Sequence, residues 1–321
     1  METVLVTGGC GLIGQHIVSG LLKKGFAVIA VDTHDNGYND NKLHYTFVPA
    51  DITDKDVIGE LFEQNEIDIF VHAACTVDND LEPIVTDKQI KDSAAADKFI
   101  YRYAMTSAKV RKIVLLSTDQ VYDFPKTREP IREDNELKIN SNYAALKYAS
   151  EKALIKEMAH HKDIICCVLR FSPVYTLNYT DNLTSKIIDP KDGSLFVAGK
   201  GQYGFQFCCV HNLVDFILCF IRSADEPKFT GIYNVSDKNL TTASDIITFM
   251  KTNHHLGAVI QKSAIKSSGI SSLIRKVARN KEEKENYRYL DWSTFLYNNM
   301  LDNNKALKLV SSFRWDIHNT K

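Results

Sequence analysis

Charge of one sign is missing from this chain: 39 Lys and Arg stand against 40 Asp and Glu, a formal net charge of −1. That balance gives no electrostatic reason to expect nucleic acid or an anionic membrane as a partner. No uncharged apolar run reaches the length of a bilayer span. The N-terminus has neither the basic start nor the cleavable apolar stretch of a secretory signal. Seven cysteines are present, but no C-x-x-C pair, so metal-ribbon and dithiol readings have no support. Cys166, Cys167, Cys208, Cys209 and Cys219 lie in apolar runs, where buried free thiols belong. A reducing, cytoplasmic setting is the expectation. Neither an internal repeat nor a low-complexity tract occurs.

What is present is enough chain, 321 residues at 44% hydrophobic, to bury a sizeable core. Short apolar runs at Thr3–Val6, Ala27–Val31, Thr46–Val48, Ile67–His72, Lys112–Ser117 and Ile164–Arg170 read as strands. Helical stretches near Ile13–Lys24, Lys55–Asn65, Ala94–Ala108 and Tyr143–His160 alternate with them. Alternation of this kind predicts parallel β-α-β units under helices on both faces. Past Arg170 the pattern loosens. Residues 172–204 read as loops with one helix, Phe207–Val210 and Ile232–Val235 as further strands around a helix at Leu213–Arg222. From Thr241 onward the chain reads as mostly helical.

The strongest local signal is TVLVTGGCGLIGQHIVSGLL, a strand that runs into Gly8, Gly11 and Gly14 and then directly into a helix. Gly8 permits the tight turn, Gly11 lets the backbone approach a pyrophosphate, and Gly14 allows close helix–strand packing. The helix start then offers unpaired N–H groups and partial positive charge to the phosphates. Asp32 closes the second strand, where an acid can accept from both hydroxyls of an adenosine ribose and would repel a 2′-phosphate. NAD is therefore expected over NADP. The plainer alternative for Asp32 is a loop aspartate that merely ends a strand.

Tyr-x-x-x-Lys, which puts both side chains on one helix face, occurs at Tyr38/Lys42, Tyr122/Lys126, Tyr143/Lys147 and Tyr148/Lys152. The first lies in an Asn/Asp-rich loop and the second spans Pro125, so neither reads as helical. Tyr143 and Tyr148 share a helix and point in different directions. For an isolated pair, an amphipathic surface would be the ordinary reading.

TGGCGLIG, Asp32, His72–Ala74, STDQVY at Ser117–Tyr122 and YAALKYASE at Tyr143–Glu151 together resemble the extended short-chain dehydrogenase/reductases, in the style of the NAD-dependent sugar-nucleotide epimerases and dehydratases. The likeness continues in VHNLVDFI, GIYNVSD and DNNKALKL. It implies a Rossmann-type α/β fold, a doubly wound parallel sheet with a smaller C-terminal substrate-binding lobe. Residues 1–171 would bind NAD, 205–235 would return to that domain, and 172–204 with 236–321 would form the lobe. It implies Thr118, Asp119, Tyr143 and Lys147 as catalytic residues, Tyr143, Lys147 and Glu151 matching the family spacing better than Tyr148 and Lys152. Gly8, Gly11, Leu12, Ile13, Gly14, Asp32, Asp51, Ile52, Ala73, Ala74, Tyr143 and Lys147 would line the cofactor, and His72 would pack at a strand end near it. Free tyrosine is a poor base at neutral pH, and Lys147 with an oxidised nicotinamide would favour the phenolate. Thr118 would hold the substrate oxygen.

Three departures bear on the substrate. Gln120 stands where the family's dehydratases often carry glutamate, and an amide cannot donate the proton that elimination needs. Ser172 stands where an asparagine is common, and Phe205 where an arginine commonly binds the substrate's diphosphate. Lys200, Arg275, Arg279 and Arg288 are candidate substitutes, with a solvated mixed-charge helix the plainer reading of the arginines. The substrate side of the site is thus expected at Thr118, Ser172, Lys200, Phe205 and Arg288. The expected partners are a small-molecule substrate, a nucleotide-sugar by resemblance, and a second copy as a homodimer. The adjacent pairs His160/His161 and His254/His255 diverge on a helix, so no metal is expected. A net oxidoreductase of a simple alcohol or ketone, and a non-catalytic NAD module, stay open at this point.

Overall fold

The computed structural model describes residues 1–37, 43–75, 85–124, 129–188, 194–262 and 300–320. Its strands run in order from β1 (Thr3–Thr7), β2 (Ala27–Asp32), β3 (Tyr45–Pro49), β4 (Ile69–His72), β5 (Lys112–Leu116) and β6 (Ile165–Phe171). They continue through β7 (Val174–Tyr175), β8 (Phe196–Ala198), β9 (Gly204–Phe205), β10 (Cys208–Cys209), β11 (Gly231–Val235), β12 (Thr241–Thr242) and β13 (Ile260–Lys262). The helices are α1 (Gly14–Lys23), α2 (Lys55–Gln64), α3 (Asp87–Thr106), α4 (Asn142–Met158), α5 (Asp181–Thr184), α6 (Val210–Arg222) and α7 (Ala243–Asn253).

Seven strands form one parallel sheet in the order β11-β6-β5-β4-β1-β2-β3. Successive side chains leave a strand on opposite faces, and the buried residues sort accordingly. Val4, Val6, Ile69, Val71, Val114, Leu116, Cys167 and Leu169 face α1 and α6, with Ile17, Leu21, Leu213 and Phe216 across from them. Leu5, Phe70, Ile113, Leu115, Cys166 and Val168 face α2, α3 and α4, with Ile58, Ile100 and Leu154 opposite. A separate cluster of Tyr175, Leu183, Phe205, Phe207, Ile246 and Phe249 joins β9 and β10 to α5 and α7.

The strand order reverses between β1 and β4, and at such a switch point the carboxyl ends of neighbouring strands open into a crevice. At the opposite edge, Lys112 is fully buried and donates from Nζ to the carbonyls of Phe220 (3.1 Å) and Ile221 (2.8 Å) and to that of Ser223. The lysine ammonium thus closes the last turn of α6, where cations suit the helix end.

Three boundaries differ from the sequence expectation. α3 starts at Asp87 rather than near Ala94, because Thr86 and Gln89 form a reciprocal capping box that fixes an earlier start. The run Phe207–Val210 keeps only Cys208–Cys209 as strand, and Val210 already begins α6; an all-apolar run carries no period by which to tell the two apart. Past α7, the described residues hold β13 and one short 3-10 turn at Ala306–Lys308, while residues 263–299 of the stretch expected to be mostly helical lie outside the described residues.

Candidate active site

The glycine turn connects the end of β1 to α1 with almost no spare volume. Gly8 has φ +68° and donates its N–H to Val31 O at 2.8 Å. A Cβ on Gly8 would lie 2.7 Å from Ala74 N, and one on Gly14 would lie 1.9 Å from Gly8 O. Backbone therefore passes backbone at van der Waals limit, which only glycine allows. α2, α3, α4 and α7 are each capped by a side chain, from Asp54, Thr86, Ser141 and Thr242. α1 has Ile13 at its cap position, no capping side chain and no acid in its first turn. Among the described residues no side chain caps its first N–H groups, and they suit a phosphate.

Asp32 sits at the end of β2, partly exposed, and takes Cys10 N on Oδ2 (3.0 Å) and Thr33 N on Oδ1 (2.8 Å). The carboxylate thus braces the glycine turn and still presents lone pairs to the crevice, as a ribose would need. Leu12 and Ile13 are half-buried in the turn, and Ala73 and Ala74 follow β4 on its other side. Asp51 follows β3, where its Oδ1 takes Thr53 N (2.8 Å) and Thr53 Oγ1 (2.7 Å), and Ile52 is buried against the α2 side of the sheet. These groups fit an adenine dinucleotide laid across the switch point: a cradle that a Cβ would fill, an uncapped helix end, and an acid at the β2 end.

His72 closes β4 and is held at both ring nitrogens, Nδ1 to Thr7 Oγ1 at 2.6 Å and Nε2 to Asp97 Oδ1 at 3.0 Å. All three side chains are buried. This chain ties the ends of β1 and β4 to α3, and Asp97 in turn faces Lys147. Asp97 and Cys75, both of which bear on Tyr143 or Lys147, were not among the residues expected from sequence.

α4 brings the Tyr143 and Lys147 side chains together. Lys147 is buried and donates from Nζ to Leu116 O at 3.2 Å, the last residue of β5. Burial by itself would lower its ammonium, but the facing Cys75, Tyr143 and Asp97 hold it above the ordinary lysine value. Burial pushes the Tyr143 phenol up; Lys147 draws it down, and Cys75 and Asp119 push it up again. The net direction is upward, so the expected lowering by Lys147 exists but is outweighed by desolvation in the protein alone.

Thr118 and Asp119 follow β5 and are both buried. The Thr118 hydroxyl accepts from Gln120 N at 3.3 Å and starts a short 3-10 turn. Burial pushes the Asp119 carboxyl up to about 7, against the lowering pull of the adjacent Ser172 hydroxyl and of the Lys186 ammonium. Gln120 is exposed and turns to Ser141, the cap of α4. Tyr148 and Lys152 turn to one another on a different face, Nζ 4.9 Å from the ring centroid, and with Arg170 and Ile232 line a separate cleft.

Of the residues expected to meet the substrate, Ser172 is fully buried beside Asp119 and Phe205 is buried in β9 among Tyr203 and Phe207. Lys200 is exposed in the turn after β8. Arg275, Arg279 and Arg288 lie outside the described residues, as do Tyr38, Lys42 and Lys126.

Residues 4–236 match the family described as NAD dependent epimerase/dehydratase. A UDP-glucose 4-epimerase of Bacillus subtilis is 31% identical over 159 residues, 47% of this chain and 46% of that protein. A protein provisionally named UDP-glucose 4-epimerase in Methanocaldococcus jannaschii is 32% identical over 265 residues, 79% of this chain and 82% of its own length. Among solved structures, the Thermotoga maritima UDP-glucose 4-epimerase with UDP-glucose superposes with a TM-score of 0.71 at 18% identity, covering 98% of this chain and 95% of that one.

Proposed function

From the premise that this chain belongs to the NAD dependent epimerase/dehydratase family of enzymes, we propose that it is a nucleotide-sugar epimerase whose base is Tyr143. The carrying observation is that Tyr143, Lys147 and Asp119 converge at the carboxyl ends of β4 and β5, next to the crevice that the glycine turn and Asp32 prepare for NAD. Bound NAD supplies the electron acceptor for oxidation at a carbinol carbon. Tyr143 takes the hydroxyl proton from that carbon and later returns it. Lys147 holds positive charge beside the phenol and, fixed to Leu116 O, keeps the pair aligned. Thr118 positions the substrate oxygen with its hydroxyl. Asp119, protonated up to about neutral pH, offers an O–H to the same oxygen or its neighbour. The desolvation that raises the Tyr143 phenol is offset only when further positive charge enters the site with the oxidised cofactor.

Oxidation followed by return of the same electrons to the other face inverts a carbon without net redox change. Gln120 speaks against elimination, since it is an amide and turns to the α4 cap. The names of these three relatives, each a UDP-glucose 4-epimerase, support a nucleotide-sugar substrate. A homodimer in the cytoplasm belongs to the same reading; no helix among the described residues is long and apolar enough to cross a membrane.

The test is incubation of the pure protein with NAD and a panel of UDP-, GDP-, CDP- and dTDP-sugars. An inverted sugar with no accumulated NADH is the expected result. The buried Phe205 favours one second reading, net oxidation of an alcohol that carries no diphosphate. Steady NADH production from a simple secondary alcohol, with no sugar inverted, would establish that reading instead. Light scattering of the purified protein tests the dimer.

A further inference from the structure

The place expected to carry an arginine is closed to one. Phe205 is 6% exposed, in strand β9, and its ring packs at 5.7 Å from Tyr203 and 6.2 Å from Phe207. A side chain committed to that cluster holds no anion. Yet a cation stands directly over it: Lys186 Nζ is 5.7 Å from the Phe205 ring centroid. Lys186 comes from a different element, the turn that follows α5, where its N–H bonds Leu183 O at 3.1 Å. It is half-buried, so its ammonium is neither sealed in the core nor out in solvent.

The same ammonium also acts on the Asp119 carboxyl across the site. Lys186 therefore lies between the aromatic floor of the lobe and the catalytic end of β5. Ser172 joins it there. Its hydroxyl is fully buried and reaches the Asp119 carboxyl, which it draws down, and it meets no other hydrogen-bond partner among the described residues. A buried hydroxyl with so few partners can also serve a ligand oxygen that enters this space.

We propose that Lys186, with Ser172 beside it, holds the phosphate group of the substrate, in the position that Phe205 gives up. This rests on the nucleotide-sugar reading above and names the residues that make it work in this chain. The chemistry differs from that of a guanidinium. An ammonium is a rotatable point charge, so it binds a phosphate without fixing two oxygens in one plane. The Phe205 ring under it shields one side from water and steadies it through the ring's negative face.

Calorimetric titration of the NAD-loaded protein with UDP, GDP and dTDP tests this. Wild type, Lys186→Met, Lys186→Arg and, as a control, Lys251→Met in the exposed last turn of α7 are compared, with NAD affinity measured on each as the check of folding. If the proposal holds, Lys186→Met weakens the nucleoside diphosphate by about 10-fold or more, Lys186→Arg retains most of the affinity, and Lys251→Met changes little. The matching nucleoside without phosphate loses nothing on Lys186→Met. Equal diphosphate affinity in wild type and Lys186→Met overturns the assignment and leaves the nucleotide-sugar reading standing. Absence of binding to any of the three diphosphates by wild type overturns both. Should Lys186→Met lose NAD binding, Lys186→Gln is read by the same criteria.

Discussion

Glu151 and Arg170 form a two-pronged ion pair inside the protein, Nε to Oε1 at 3.0 Å and Nη2 to Oε2 at 2.7 Å, with both side chains almost fully buried. Ser117 Oγ donates to the same carboxylate, and the guanidinium lies over the Tyr122 ring at 4.8 Å. α4 is thereby pinned to the ends of β5 and β6, one helical turn beyond Lys147. Removing one member strands a buried charge. Glu151→Ala is expected to cost about 3–5 kcal/mol in urea unfolding. Replacing both partners with methionine recovers much of that loss, since a buried pair is often no more stabilising than apolar groups of its volume. A double variant as unstable as the single one would show that the pair does more than neutralise itself.

Tyr143 and Tyr148 offer a clean contrast on one helix. Tyr143→Phe should lower kcat by about 10²–10⁴-fold, the usual contribution of a positioned base, with NAD affinity nearly unchanged. Tyr148→Phe should leave kcat within a few-fold of wild type, because its ring faces Lys152 and the separate cleft. The opposite ranking would move the base to the second pair.

Asp119 predicts a pH dependence with a definite sign. Its carboxyl titrates near 7 in the folded protein against a reference of 3.8. Between those values the native state holds a proton that the unfolded chain has lost, so this group's contribution to stability falls as pH rises from about 4 to about 7 and is level above. The full effect is at most about 4 kcal/mol. Asp119→Asn should flatten that part of a denaturation-versus-pH series. It should also remove a descending limb near pH 7 from kcat/KM, the limb produced when the protonated acid is lost. A limb that survives in Asp119→Asn belongs to another group.

Asp32→Ala should weaken NAD by at least 10-fold, in keeping with loss of hydrogen bonds to a charged acceptor. The same change should narrow the preference over NADP. Because Asp32 also holds Cys10 N, the glycine turn itself should loosen. Dissociation constants for both cofactors, measured on wild type and variant, decide this. Wild-type protein that takes NADP as tightly as NAD would refute the role given to Asp32.

Local signals in the sequence were enough for the parts of the fold that are locally encoded. The strands under two helical layers are continuous apolar runs, and the glycine turn has its strand and helix on either side. The start of α3 was also written locally, in Thr86 and Gln89, though the apolar period alone placed it later. Partnerships made across the fold were not legible. Asp97 meets His72 only because α3 packs over β4, and Lys186 meets Phe205 only because α5 and β9 share a core. No spacing rule connects such residues, and neither side chain is unusual where it stands in the chain.

The bare end of α1 makes occupancy by the cofactor a folding variable. Where four other helices carry their own capping groups, this one leaves its terminus to whatever anion enters the crevice. A ligand that binds only the native state adds RT ln(1 + [L]/Kd) to its stability, about 4 kcal/mol at a thousand-fold excess over Kd. The melting temperature of this protein should therefore climb with the logarithm of NAD concentration. Protein newly made in a cell starved of the cofactor would be the less durable population.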